Sequence, residues 1–200
     1  MMTFLLIRHG AHLLGGDKIA GRSDVQLSPL GREQAAATAR RLKDVPIRAI
    51  YSSPVMRTRE SAAPLSELLG LPVQLSDALS EIDYGEWSGR TLDTLRPLAR
   101  WGHWNSFRSG TRVPNGELML QVQSRIVQEM LRLRELHVNE TVALFSHGDV
   151  IRAALAYFLG IPLDMFQRFE ISLSSISVVA LGDGGPWVLG VNCTEKLLLP

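Results

Sequence analysis

Phe4-Leu5-Leu6-Ile7-Arg8-His9-Gly10 is the stretch on which the reading of this chain turns. Four apolar residues follow one another without alternation, which suits a strand buried on both faces. The run ends in an arginine, a histidine and a glycine. Two other runs have the same form. Ala49-Ile50-Tyr51 leads into Ser52-Ser53, with Arg57 one helical turn further on, and Val142-Ala143-Leu144-Phe145 leads into Ser146-His147-Gly148. Buried strands separated by helical patterns predict a mostly parallel sheet covered on both sides, a three-layer α/β/α sandwich. Ligands of such sheets bind beyond the carboxyl ends of the strands. Arg8, His9, Arg57 and His147 should therefore meet on one rim.

The helical patterns fit between these strands. One helix should start at Ser28-Pro29, where serine caps free amides and proline suits the first turn, and run to about Lys43. A second should start at Ser53-Pro54 by the same logic and stop at Gly70, with Pro64 kinking or shortening it. A long third helix follows Asn115-Gly116, with Met119, Val122, Ile126, Met130 and Leu133 on one face. A fourth follows Gly148, turns Ile151, Leu155 and Phe158 inward, and ends at Gly160. Alternation in residues 176–181 predicts an edge or antiparallel strand. Asp183-Gly184-Gly185-Pro186 marks a turn toward a further strand over 187–191.

Composition bounds the answer. The chain has 200 residues, 46% of them hydrophobic and 20% charged, which suits one folded domain over 1–200 and excludes disorder. No apolar run approaches the roughly 20 residues of a membrane span. Met1-Met2-Thr3-Phe4 has no basic stretch before its apolar run, so a signal peptide is not expected and a cytoplasmic, membrane-free protein is. A net charge of +1 argues against a general nucleic-acid binder. The single cysteine, Cys193, excludes a disulfide framework and a thiolate metal cluster.

Two arginines, two histidines and a helix N-terminus together describe a site for a doubly charged oxyanion. Arginine grips phosphate oxygens with paired hydrogen bonds and keeps its charge. A neutral imidazole nitrogen is a nucleophile near pH 7. A metal site from His9, His12 and Glu81 is disfavoured, because His-x-x-His at a strand end is poor ligand geometry. No metal or cofactor is expected.

These residues sit in blocks that resemble the histidine phosphatase superfamily, the phosphoglycerate-mutase-like proteins. The blocks are Leu6-Ile7-Arg8-His9-Gly10; Gly21-Arg22-Ser23-Asp24 with Leu27-Ser28, Gly31 and Gln34-Ala35; and Tyr51-Ser52-Ser53-Pro54 with Arg57-Thr58. They continue with Leu79-Ser80-Glu81-Ile82-Asp83-Tyr84-Gly85-Glu86-Trp87-Ser88-Gly89, then Pro114-Asn115-Gly116-Glu117, then Ser146-His147-Gly148 with Val150-Ile151-Arg152. A single Arg-His-Gly recurs by chance; six blocks in the family's order do not.

The resemblance implies a phosphomonoesterase acting through a phosphohistidine on His9. Arg8, Arg57 and His147 would hold the phosphoryl oxygens, and Glu81, with Asp83 as its rival, would move the proton. Gly21, Arg22 and Gly148 join Arg8, Arg57, Glu81 and His147 as expected substrate contacts. Between Asp93 and Glu117 there are four arginines, three aromatics and no acid, and segment 88–116 is expected to cap the site.

The chain also departs from the family pattern. Ala11-His12 stands where many members have Glu-Thr or Glu-Ser, and Gly15-Gly16 occupies the region of the usual asparagine. The stretch from Trp87 to Glu117 is shorter than in the cofactor-dependent mutases, which favours water over a second hydroxyl as acceptor. The expected partner is a small phosphorylated metabolite: a sugar phosphate, a glycerate phosphate, a nucleotide-like monoester or a phosphorylated ribazole. A homodimer stays open. Mutase-type phosphoryl transfer and a non-catalytic phospho-ligand sensor are the alternatives. Ordinary structural roles suit Arg152, His103, His137, Cys193, Trp101 and Trp104, while His12 is evenly divided between substrate and solvent.

Overall fold

β1 (Met2–Arg8) lies inside a six-stranded sheet and settles how the rest packs. Its side chains alternate between two cores. Phe4 and Leu6 enter one apolar cluster, and Leu5 and Ile7 enter the other. That is the physical content of an unbroken apolar run: neither face meets water. The computed structural model describes residues 1–195.

The remaining strands are β2 (Ile47–Ser52), β3 (Val73–Leu75), β4 (Thr141–Ser146), β5 (Ile176–Gly182) and β6 (Gly185–Cys193). The sheet order is β3-β2-β4-β1-β5-β6. The first four strands in that order run parallel. β5 is antiparallel to β1, and β6 to β5. β5 is thus an interior antiparallel strand, and β6 forms the edge. Pro186 lies within β6, where an edge strand tolerates a residue without an N–H.

α1 (Pro29–Leu42) and α2 (Met56–Leu69) cover one face, contributing Ala39, Leu42, Ala62 and Leu65 to its core. α3 (Leu92–Leu95) and α4 (Ala99–Ser106) precede the long α5 (Met119–Leu136), and α6 (Gly148–Leu159) follows β4. α5 and α6 cover the other face through Met119, Val122, Ile126, Ile151 and Leu155. The sandwich therefore has the three layers its sequence predicts.

Two boundaries differ from expectation. Ser28 caps α1 by accepting from the Gly31 amide. The Ser53-Pro54 pair, by contrast, does not open α2, which starts at Met56 with Val55 at its cap. The Ser53 hydroxyl is engaged by His147. Pro64 does not shorten α2, which continues to Leu69 and closes on Gly70 in the left-handed region. Among the described residues, no helix is long and apolar enough to cross a membrane.

Candidate active site

The parallel register of β1 and β4 pairs Ile7 with Phe145 and Arg8 with Ser146. One residue further on, His9 and His147 leave their strands side by side. The His9 amide still donates to the Ser146 carbonyl at 3.1 Å, and the imidazole centroids are 5.2 Å apart. Both rings are buried. His9 Nδ1 lies 2.8 Å from the Gly10 carbonyl, which can only accept, so Nδ1 carries the proton and Nε2 the lone pair. Burial first, and the Arg57 charge second, hold the His9 imidazole well below its ordinary pKa of 6.5. It is neutral at pH 7.

Arg57 joins the two histidines. Its Nε donates to His9 Nε2 at 3.2 Å, and its Nη2 lies 3.0 Å from His147 Nδ1. A guanidinium has no acceptor, so His147 Nδ1 accepts and His147 Nε2–H donates to Ser53 Oγ at 3.0 Å. Arg57 also donates to the carbonyls of Gly21 and Ser23. Ser61 Oγ accepts from the Gly10 amide and donates to the Arg57 carbonyl, tying the first turn of α2 to the residue after His9. Arg8 donates to the Ile171 carbonyl through Nη1, while its buried Nε has no partner. Burial lowers the pKa of both arginines, but a guanidinium stays charged near neutrality.

Glu81 faces this cluster from a loop. Its main-chain carbonyl accepts from Arg22 Nε at 2.8 Å and from Arg125 Nη2 at 3.3 Å. One carboxylate oxygen accepts from the Ile82 amide, and the other lies 3.8 Å from His147 Nδ1. Burial and then repulsion from Asp149 raise its pKa from 4.5 to about 7, against the pull of Arg57 and Arg8. Asp149 accepts from the Tyr84 hydroxyl, from Arg108 at 2.7 Å and from Arg152 at 3.1 Å. Burial pushes Asp149 up, but Arg108 and Arg152 outweigh it and leave its pKa below the ordinary value. It remains the fixed anion beside Glu81. Asp83, the rival acid, accepts from the Gly85 amide and does not line the pocket.

The resulting pocket is about 280 Å³ and is lined by Arg8, His9, Arg57, Glu81, Tyr84, Leu173 and the loop from Ala11 to Gly21. Gly21 lies on this wall at a φ of +50°. Arg22, His147 and Gly148 do not. Arg22 spans the Glu81 carbonyl and Glu117, and so braces the acid loop instead. A Cβ on Gly148 would lie 3.2 Å from the Arg8 guanidinium, so this glycine makes room for Arg8.

Segment 88–116 contributes no wall to this pocket. Three of its arginines are engaged elsewhere: Arg96 with Asp93, Arg108 with Asp149, and Arg112 with Gln121. Trp104 packs on Tyr84 and Trp87, supporting the pocket from behind. Among the described residues, no three histidine, cysteine or acidic side chains are grouped to hold a metal ion.

Sequence reasoning gave no site role to Ser53, Ser61, Tyr84 or Asp149. Ser53 carried a signal misread as a helix cap. Tyr84 lay inside the acid-loop block, and Asp149 directly followed His147-Gly148.

The description "histidine phosphatase superfamily (branch 1)" fits residues 4–194. Phosphoserine phosphatase 1 of Hydrogenobacter thermophilus is 29% identical, covering 98% of this chain and 95% of the relative. A probable phosphoglycerate mutase of Yersinia pestis is also 29% identical, over 94% and 88%. Among solved structures, a phosphoserine phosphatase of Entamoeba histolytica in complex with phosphoserine superposes with a TM-score of 0.88 at 28% identity, over 99% of this chain and 100% of that one. The same enzyme is also known in complex with 3-phosphoglyceric acid. With the family match running almost from end to end, this chain belongs to the histidine phosphatase superfamily.

Proposed function

We propose that the chain is a metal-independent phosphomonoesterase whose nucleophile is His9 Nε2. The observation that carries this reading is the fixed tautomer of His9. The Gly10 carbonyl holds the proton on Nδ1, and Arg57 meets the lone pair on Nε2. A phosphoryl group at Nε2 would have Arg57 beside it, with Arg8 and His147 lining the same cluster.

In the first step the Nε2 lone pair forms a bond to phosphorus and the bond to the ester oxygen breaks. The leaving oxygen takes the proton of neutral Glu81. In the second step water attacks phosphorus, the phosphorus–nitrogen bond returns its electron pair to His9, and the Glu81 carboxylate receives the water proton. A carboxyl with a pKa of about 7 suits both duties near neutral pH. The arginines oppose the charge on the equatorial oxygens in each transition state.

Phosphatase relatives with small phosphorylated substrates support the class of reaction. The probable mutase from Yersinia pestis supports a second reading, transfer of the phosphoryl group to another hydroxyl. A panel of phosphomonoesters, assayed for free phosphate with and without a bisphosphate primer, separates them. Release of phosphate without primer, lost in His9→Ala, is the expected result. Isomerisation dependent on primer would favour the mutase, and binding without turnover would favour a sensor.

A further inference from the structure

We infer that Arg108, in segment 88–116, is a positioning residue for the proton transfer: acting through Asp149, it keeps the one proton shared by two buried carboxyls on Glu81. The inference rests on the phosphomonoesterase reading and adds to it a residue outside the pocket.

Two acids stand behind the reacting groups. Glu81 is on the pocket wall, and Asp149 is in the first turn of α6, directly after His147 and Gly148. Each side chain is only 13% exposed. Neighbouring buried carboxylates repel, so a pair of them holds one proton near neutrality, and the cations around them decide which one keeps it. The groups facing the Glu81 carboxyl are Arg8 from β1, Arg57 from α2, the neutral His147, and Asp149 from α6. Arg22 and Arg125 bond its main-chain carbonyl. The groups facing Asp149 are Arg108, Arg152 and the Tyr84 hydroxyl, with Arg8 also in range. Burial and the two acids hold Tyr84 in its protonated form, so it donates to Asp149 and brings no charge.

The two arginines on Asp149 are not equivalent. Arg152 is a divided counter-ion, bonding also the Glu170 carboxylate at 3.0 Å and the Phe169 carbonyl at 3.1 Å. Arg108 meets Asp149 Oδ2 through Nη1 at 2.7 Å and Asn105 Oδ1 through Nη2 at 2.8 Å, and among the described residues it pairs with no other acid. Its guanidinium is buried, 3.7 Å from the centre of the Trp104 ring and 5.0 Å from that of Phe166. The next residue, Ser109, is fixed to Asp164 by both its amide and its hydroxyl. A charge buried among rings costs stability that an apolar side chain of similar volume would not. Filling that space needs no charge; holding Asp149 ionised does. With Asp149 ionised, the shared proton stays on the carboxyl that reaches the pocket. Segment 88–116 thus serves the site from behind, without touching substrate.

Arg108→Met and Arg108→Lys are compared on an alkyl monoester and on p-nitrophenyl phosphate. Without the cation, the carboxyl pair holds its proton more tightly but shares it with Asp149. In Arg108→Met the alkaline limb of the alkyl ester should therefore move up by about half a pH unit or more, and its maximal kcat/KM should fall about threefold or more. The aryl ester, which needs little proton help, should lose much less. Arg108→Lys keeps the charge but loses the planar stack, and should leave the limb in place. Carbon-13 NMR of the wild-type carboxyls, assigned with Glu81→Gln and Asp149→Asn, gives a reading that needs no Arg108 variant to fold. Glu81 should titrate near pH 7 while Asp149 stays ionised from about pH 5 upward. An unmoved limb in Arg108→Met, equal losses on both esters in both variants, or an Asp149 signal that titrates together with Glu81 would overturn the role of Arg108 and leave the phosphatase reading standing. A wild type that turns over no phosphomonoester would remove that reading, and the NMR titration would still decide where the proton lies.

Discussion

Arg57 Nε donates to His9 Nε2 at 3.2 Å, so the cation of the site is bonded directly to its nucleophilic nitrogen. Two effects follow from one contact. The arginine aims the lone pair, and its charge adds to burial in keeping the imidazole deprotonated. It also places a fork of N–H donors where phosphoryl oxygens would gather around that nitrogen.

Replacing Arg57 should therefore damage chemistry more than binding. Arg57→Lys keeps a charge but loses the fork that reaches His9, His147 and the Gly21 carbonyl together. A fall in kcat of about 10²–10³-fold is predicted, comparable to losing an oxyanion donor. Steady-state kinetics on an aryl phosphate measures it. A lysine variant within a few-fold of wild type would show that the fork is not needed.

The pH dependence should show Glu81. With an alkyl monoester, kcat/KM requires neutral Glu81 to protonate the leaving oxygen. The rate should fall as pH rises through about 7. On the acid side it should fall as the substrate loses its dianion, near pH 6. A p-nitrophenyl ester, whose leaving group needs little proton help, should flatten the alkaline limb. Asp149→Asn removes the anion that helps raise the Glu81 pKa, so its alkaline limb should move to lower pH. An unchanged limb in that variant would separate Asp149 from the acid.

Glu81 should also cost stability. The folded carboxyl holds its proton up to about pH 7, whereas the ordinary value is 4.5. Between those values the folded state binds more protons, so rising pH weakens the fold. Glu81→Gln should gain about 1–3 kcal/mol at pH 8 and nothing at pH 4, where both carboxyl states are neutral. Denaturant unfolding at the two pH values is the measurement. The buried histidines affect both proteins alike and cancel in the comparison.

The turn after His9 depends on a close backbone approach. A Cβ on Gly31 would lie 1.9 Å from the Ala11 carbonyl oxygen, and main chain cannot yield as a flexible side chain does. Gly31→Ala should cost about 1–3 kcal/mol and disturb catalysis through the loop bearing His9 and His12. Thermal unfolding and kcat should change together.

How far the sequence could be read varied from element to element. β1 and β4 were legible because each is apolar on both faces, and the residues at their carboxyl ends followed from parallel topology alone. β3 was not, since Val73–Leu75 is three residues long with two of them exposed, too little for any period. Ser53-Pro54 misled because a serine that bonds His147 looks like a helix cap in one dimension. Arg22 matched a substrate-contact motif, yet its fork spans Glu81 and Glu117, a pairing that depends on residues 59 and 95 positions away. The cationic look of 88–116 dissolved for the same reason: Arg108 finds Asp149 only in three dimensions.

Chemical trapping of the phosphoenzyme is the most direct test. The protein is mixed with substrate labelled in the phosphoryl group, quenched in alkali and digested. A base-stable, acid-labile label is expected on the peptide containing His9, absent from His9→Ala. Sustained turnover with no labelled enzyme, or label on a peptide lacking His9, would contradict it.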